Sequence, residues 1–154
     1  MKVALLILWI SAPLIAQQLP NWFGLGSSYD SSQSPHYSSW AAAAFPVSNQ
    51  AQLYSFTAWQ LVFVNKKLTT STTTGLSTTL KTIKRKSATF ELNALGTGGV
   101  STGTITTSAF SLGGGAWVFW PNGFTVEVMG VQSKNANAVR PQVLAGFGYS
   151  WGSK

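Results

Sequence analysis

The sequence predicts an all-β protein of eight antiparallel strands in up-and-down order. Three observations predict it. The first is composition: of 154 residues only 8% are charged, while 13% are aromatic. Ordinary soluble domains carry about 25% charged residues. Here Ser, Thr, Gly, Asn and Gln fill the gap, at a mean hydropathy of only +0.15. A helical membrane protein would be far more apolar, and a disordered chain far more charged or polar. The second observation is a series of eight runs rich in Val, Thr, Phe, Tyr or Trp, without amphipathic helix periodicity. The third is that the connections between runs alternate between short and long.

The runs are 21–30, 36–46, 51–64, 72–83, 88–95, 106–120, 124–132 and 141–151. In the first, Phe23, Leu25, Ser27 and Tyr29 share one face, against Trp22, Gly24, Gly26, Ser28 and Asp30 on the other. The second carries Tyr37, Trp40 and Phe45. The third is apolar on both faces, so its phase stays open. The fourth belongs to a Thr-rich stretch, read as strand because Thr is a good β former. In the fifth, Phe90, Leu92 and Ala94 oppose Thr89, Glu91 and Asn93. The sixth and seventh flank Pro121-Asn122-Gly123, a hairpin turn signal. Parity across it pairs Trp120 with Phe124, Val118 with Val126, Ala116 with Val128 and Gly114 with Gly130, all on one face. The eighth sets Val143, Ala145, Phe147, Tyr149 and Trp151 against Leu144, Gly146, Gly148 and Ser150. Short connections are expected at 47–50, 84–87 and 121–123, and longer ones at 31–35, 65–71, 96–105 and 133–140. Antiparallel order puts all short turns, with both chain ends, at one end.

Residues 1–16 read as a secretory signal peptide. Lys2 gives the positive start, an apolar run follows, and Ala16 offers the small residue for cleavage. About 20 apolar residues are needed for a membrane helix, more than this run has. Residues 17–154 then form one domain. Cysteine is absent, which excludes disulfides and thiolate chemistry.

With its signal peptide, eight runs of about ten residues and a last strand of alternating aromatics, the chain resembles the small eight-stranded bacterial outer-membrane β-barrels. The resemblance implies a transmembrane barrel, closed by pairing of the first and last strands, in a bacterial outer membrane. It implies the lipid bilayer, lipopolysaccharide and the barrel-assembly machinery as partners, with a monomeric barrel and a porin-like place in the cell envelope. In lipid every backbone polar group must be paired within the protein, which only helices and closed barrels achieve. Interface aromatics are then expected at Trp22, Phe23, Trp120, Phe124, Tyr149 and Trp151, near the short-turn end. Inward Gly24, Gly26, Gly146 and Gly148 would leave room for larger neighbours such as Trp117. An interior only wide enough for side chains gives no open aqueous pore.

Charges inside such a barrel need partners. Counting back through the turn sets Lys81 opposite Glu91 on the inward face, predicting a lumenal ion pair, with Glu127 shared or bonded to Arg140. Lys66 and Lys67 fall in a long loop, where lipopolysaccharide phosphates are a fitting ligand. His36, the only histidine, follows a segment with Asp30, Ser31, Ser32 and Ser34. His, Ser and a carboxylate could make a lipid A-modifying enzyme. The bland reading, a histidine at a strand start, is preferred. No metal site is expected from one His, no Cys and three acids. No cofactor is expected, and no nucleic acid, because the basic residues form no stripe. The function expected is non-enzymatic, with surface loops touching lipopolysaccharide or the cell exterior. The other alternative is a secreted soluble barrel binding a small apolar ligand or a glycan.

Overall fold

The computed structural model describes residues 19–30, 36–64, 67–135 and 138–152. The expected signal peptide lies outside the described residues. Eight strands follow one another: β1 (Asn21–Asp30), β2 (His36–Ser48), β3 (Leu53–Val64), β4 (Lys67–Lys84), β5 (Thr89–Thr102), β6 (Thr106–Phe119), β7 (Phe124–Asn135) and β8 (Ala138–Trp151). Each pairs with the next, and β8 pairs antiparallel with β1, so the sheet closes into a barrel with no free edge.

Alternation sorts the side chains. Trp22, Gly24, Ser28 and Asp30 of β1 face the lumen, while Phe23, Leu25 and Tyr29 are exposed outside. The same division holds on β5 and β8 as the sequence predicts. β6 and β7 pair in the expected register, with Val118 opposite Val126 and Gly114 opposite Gly130. The hairpin between them is a tight turn. Gly123 N–H donates to Trp120 carbonyl at 2.9 Å, and Trp120 N–H to Phe124 carbonyl at 2.9 Å. Gly123 takes φ +88°, a left-handed conformation that favours glycine there. β3, whose phase the sequence leaves open, turns Tyr54 and Phe56 inward and Trp59 and Leu61 outward.

Two expectations are overturned. Three of the long connections are largely strand, and the fourth, 31–35, lies outside the described residues. β4 starts at Lys67, paired with Val64; β5 runs to Thr102, paired with Thr106; and β7 and β8 pair to Asn135 and Ala138. Ser, Thr and Gly there read as loop because they are polar on both faces. Their backbone nonetheless keeps the ladder, because neighbouring strands continue beside it. We call this end of the barrel the upper rim. The lower rim holds both strand ends at the seam, Asn21 and Trp151, and the turns at 49–52, 85–88 and 120–123. The second correction is local. β4 carries a bulge between Thr79 and Lys81: Thr79 pairs with Asn93, Lys81 with Leu92, and Leu80 is the extra residue. A bulge adds one residue to one strand only, so parity below it is reversed. Lys81 therefore sits outside and exposed rather than opposite Glu91, which pairs with Thr82.

Candidate functional site

The lumen is filled in layers. Its lower part is a cluster of rings from three strands, β1, β3 and β6. Trp117 lies 5.1 Å from Trp22, stacked at 18°, and 6.3 Å from Phe56. Tyr54 and Phe119 meet Trp117 edge-on at 5.7 and 6.0 Å. Stacked and edge-to-face geometries suit the ring quadrupoles. Trp22 Nε1 donates to Thr125 Oγ1 at 2.8 Å, and buried Leu19, whose N–H bonds Asn49 Oδ1 at 3.0 Å, packs beneath. Above the rings, Trp40, Leu95, Met129, Val131 and Leu144 surround a cavity of about 30 Å³. That is room for about one water and no more. The uppermost layer is polar. Gln60 Nε2 donates to Ser38 Oγ at 2.7 Å and Ser28 Oγ at 2.9 Å, and Ser28 and Ser38 bond each other. Ser111 and Ser133 pair at 2.8 Å across β6 and β7. An aqueous channel has no path through the ring layer.

The ion pair of the lumen is not the expected one. Arg140 Nη1 donates to Asp30 Oδ2 at 3.1 Å, tying β8 to β1 near the upper rim. Glu127 is in register with Trp117 and Gly146, and so lies well below Arg140, which is in register with Ser133. The sequence placed Asp30 inward without giving it a partner. Counting the glycine pairs up the β1–β8 seam would have found it, since Gln142 falls opposite Asp30 and Arg140 is the next inward residue. Glu91 and Glu127 flank Trp117 on adjacent strands, each nearly fully buried. Thr79 Oγ1 donates to Glu91 Oε2 at 3.3 Å and to Asn93 Oδ1 at 2.8 Å. No described residue hydrogen-bonds the Glu127 carboxyl.

Of the expected interface aromatics, Phe23, Phe124, Tyr149 and Trp151 are exposed outside at the lower rim, and Trp120 is half-buried with its ring 5.5 Å from Phe124. Phe45 and Phe90 join them. Trp22 does not: it is 1% exposed and belongs to the ring cluster. Its parity with Gly24 decides this, whatever its height on the strand. The room left by the seam glycines goes to Trp22 and Trp40, whose rings occupy the space that a Cβ on Gly24 or Gly146 would need.

His36 is in register with Asp30 at the upper end of β1 and β2. Its side chain lies outside the described residues, and the Asp30 carboxylate accepts from Arg140. Lys66 and the side chain of Lys67 are likewise outside them. Among the described residues no group of three or more His, Cys, Asp or Glu could hold a metal ion. A pocket of about 130 Å³ opens at the lower rim, lined by Arg85, Ala88, Glu91, Phe119 and Pro121 among others. Sequence reasoning missed it, since its walls come from two turns and the buried face of β5.

No protein-family model and no curated protein matches the sequence. Solved structures do match its shape. A designed transmembrane β-barrel superposes at TM-score 0.58 and 14% identity, over 88% of this chain and 99% of that one. This is a small transmembrane-barrel fold. Neisserial surface protein A superposes at TM-score 0.56 and 12% identity, over 86% of this chain and 96% of its own. The N-terminal β-barrel domain of Pseudomonas aeruginosa OprF does so at TM-score 0.55 and 6% identity, over 88% and 99%. At such identities what is shared is the transmembrane-barrel fold itself.

Proposed function

We propose that the chain is a non-enzymatic barrel spanning a bacterial outer membrane, delivered there by its signal peptide and the barrel-assembly machinery. One observation carries the reading: the exterior is the apolar side. Leu25, Leu61, Leu76, Leu92, Leu112, Val128 and Phe147 are exposed there, while Ser28, Ser71, Asn93, Ser101, Glu127 and Gln142 are buried inside. Water would penalise an apolar patch of this extent, and lipid welcomes it. Exposed aromatics collect at the lower rim, as they do at the boundary between lipid and water. A secreted soluble barrel would need the opposite arrangement.

The filled lumen argues for a structural or surface role rather than transport. Among the described residues it is strand ends that reach the upper rim. Lys66 and Lys67, at the junction of β3 and β4 in the sequence, are suited by charge to lipopolysaccharide phosphates.

The test is an SDS gel of outer-membrane fractions with and without boiling. A folded barrel runs apart from its boiled form. A heat-dependent shift in that fraction supports the reading. A single band, with the protein free in periplasm or medium, overturns it.

A further inference from the structure

All three acidic residues of the chain, Asp30, Glu91 and Glu127, are buried in the lumen. No acidic side chain is therefore exposed on the barrel exterior. At the lower rim four cations gather on one hairpin. Lys81 and Lys84 lie on β4, and Arg85 and Lys86 in the turn to β5, all exposed. Arg85 N–H donates to Ala88 carbonyl at 2.9 Å, closing the turn and fixing the group on a short base.

Lys81 is the informative member. The bulge at Leu80 turns it outward, away from the Glu91 carboxylate that regular pairing would have given it. Outside, its neighbours are apolar: Leu80, Ile83, Phe90 and Leu92 are all exposed on the same face. An ammonium in that setting is stable only where its stem covers apolar surface and its head reaches an anion or water. Phe90 belongs to the lower-rim aromatics, so Lys81 stands at the level where acyl chains give way to headgroups. Its three companions lie three to five residues further along the chain toward the lower rim.

We propose that the β4–β5 hairpin is a binding site for anionic phospholipid in the leaflet at the lower rim, with Lys81 holding the headgroup phosphate and Lys84, Arg85 and Lys86 drawing the lipid in. The acyl chains lie on Leu80, Ile83, Phe90 and Leu92. The proposal rests on the membrane-spanning reading above. Charge complementarity and continuity with the aromatic belt select a lipid over a soluble anion, which would have no use for the apolar half.

The experiment is electron spin resonance of the full chain reconstituted in phosphatidylcholine vesicles containing spin-labelled phosphatidylglycerol or phosphatidylcholine. Lipid held at a protein surface gives a motionally restricted component. The expected result is a preference for phosphatidylglycerol of about two- to fivefold, the factor carried by roughly one Lys or Arg at a headgroup. It should fall to near unity in K81Q/K84Q/R85Q/K86Q, be reduced in K81Q alone, and persist in K134Q, which removes an upper-rim cation. Should the fourfold variant not fold, the single K81Q change on an exposed side chain decides. Equal restricted components for both lipids would overturn the proposal while leaving the barrel in the membrane. So would a preference that survives loss of the hairpin cations. No restricted component with either lipid would overturn both readings.

Discussion

Deletion of Leu80 is expected to leave every β4–β5 pair in place. Thr79 already pairs with Asn93 and Lys81 with Leu92, consecutive positions on β5. Removing the residue between them converts a bulge into a regular ladder, and no side chain changes face. Leu80 is 69% exposed, so little protein contact is lost. Surface changes of this kind stay near 0.5 kcal/mol, and the cost here should be below about 1 kcal/mol. Deletion of Thr82 is the contrast. Leu80 then pairs with Leu92 and Lys81 with Glu91, so Lys81 enters the lumen. A buried pair roughly breaks even against its desolvation, so stability alone does not separate the two deletions. Reactivity does. The chain has no cysteine, so Lys81→Cys gives a unique thiol. In detergent micelles a maleimide should label it readily in the full-length chain and after Leu80 deletion, and slowly after Thr82 deletion. Urea unfolding followed by tryptophan fluorescence gives the stability. A protected thiol after Leu80 deletion, or a loss above about 2 kcal/mol, would refute the register and the outward placement of Lys81.

Further outcomes follow from the packing. Trp117→Ala removes the ring that four others contact, and should cost about 3–5 kcal/mol in urea unfolding. Gly123→Ala meets both a left-handed φ of 88° and the Tyr149 ring 2.5 Å from the new Cβ, so it should cost about 1–3 kcal/mol and lower the temperature of the gel shift. Asp30→Asn leaves Arg140 without its carboxylate partner. Arg140 is about a third exposed, so water offsets much of the loss and the expected cost is about 1 kcal/mol, shrinking in high salt.

How far the fold was legible depends on what fills the lumen. Where the interior is polar or glycine-rich, alternation reads cleanly. β1, β5 and β8 were phased by Ser28, Asn93 and Gly146 on one side and Leu25, Leu92 and Phe147 on the other. β3 was not, because its inward residues begin with Tyr54 and Phe56, apolar like the lipid-facing side. The ring cluster erases the signal on β3, which supplies it with two rings and has no inward glycine to mark the face. The same cluster misled the reading of Trp22, where aromaticity suggested the interface and parity said core. The bulge at Leu80 leaves no mark in composition: Leu80 and Lys81 both suit the boundary of a membrane, and only pairing distinguishes them. The upper-rim strands were hidden by being polar on both faces. β4 begins already at Lys67, while Lys66 lies outside the described residues.

The seam between β1 and β8 has a consequence for how the barrel closes. Gly24 sits opposite Gly148 and Gly26 opposite Gly146, so the wall there is bare backbone over two successive inward positions. The seam strands supply no inward side chain at these levels. What stands behind the wall comes from other levels or strands: the Trp22 ring, from lower on β1, over Gly24, and the Trp40 ring of β2 over Gly146. Trp40 Nε1 also donates to the Ser27 carbonyl at 3.0 Å, holding its ring against β1. β8 is the last strand in the chain and must dock on the first. The surface it meets is shaped by Trp22 of β1 and Trp40 of β2, whose rings fill the space opposite the seam glycines. Closure of the cylinder and the filling of its interior therefore share the same two tryptophans, and a change to either ring touches both.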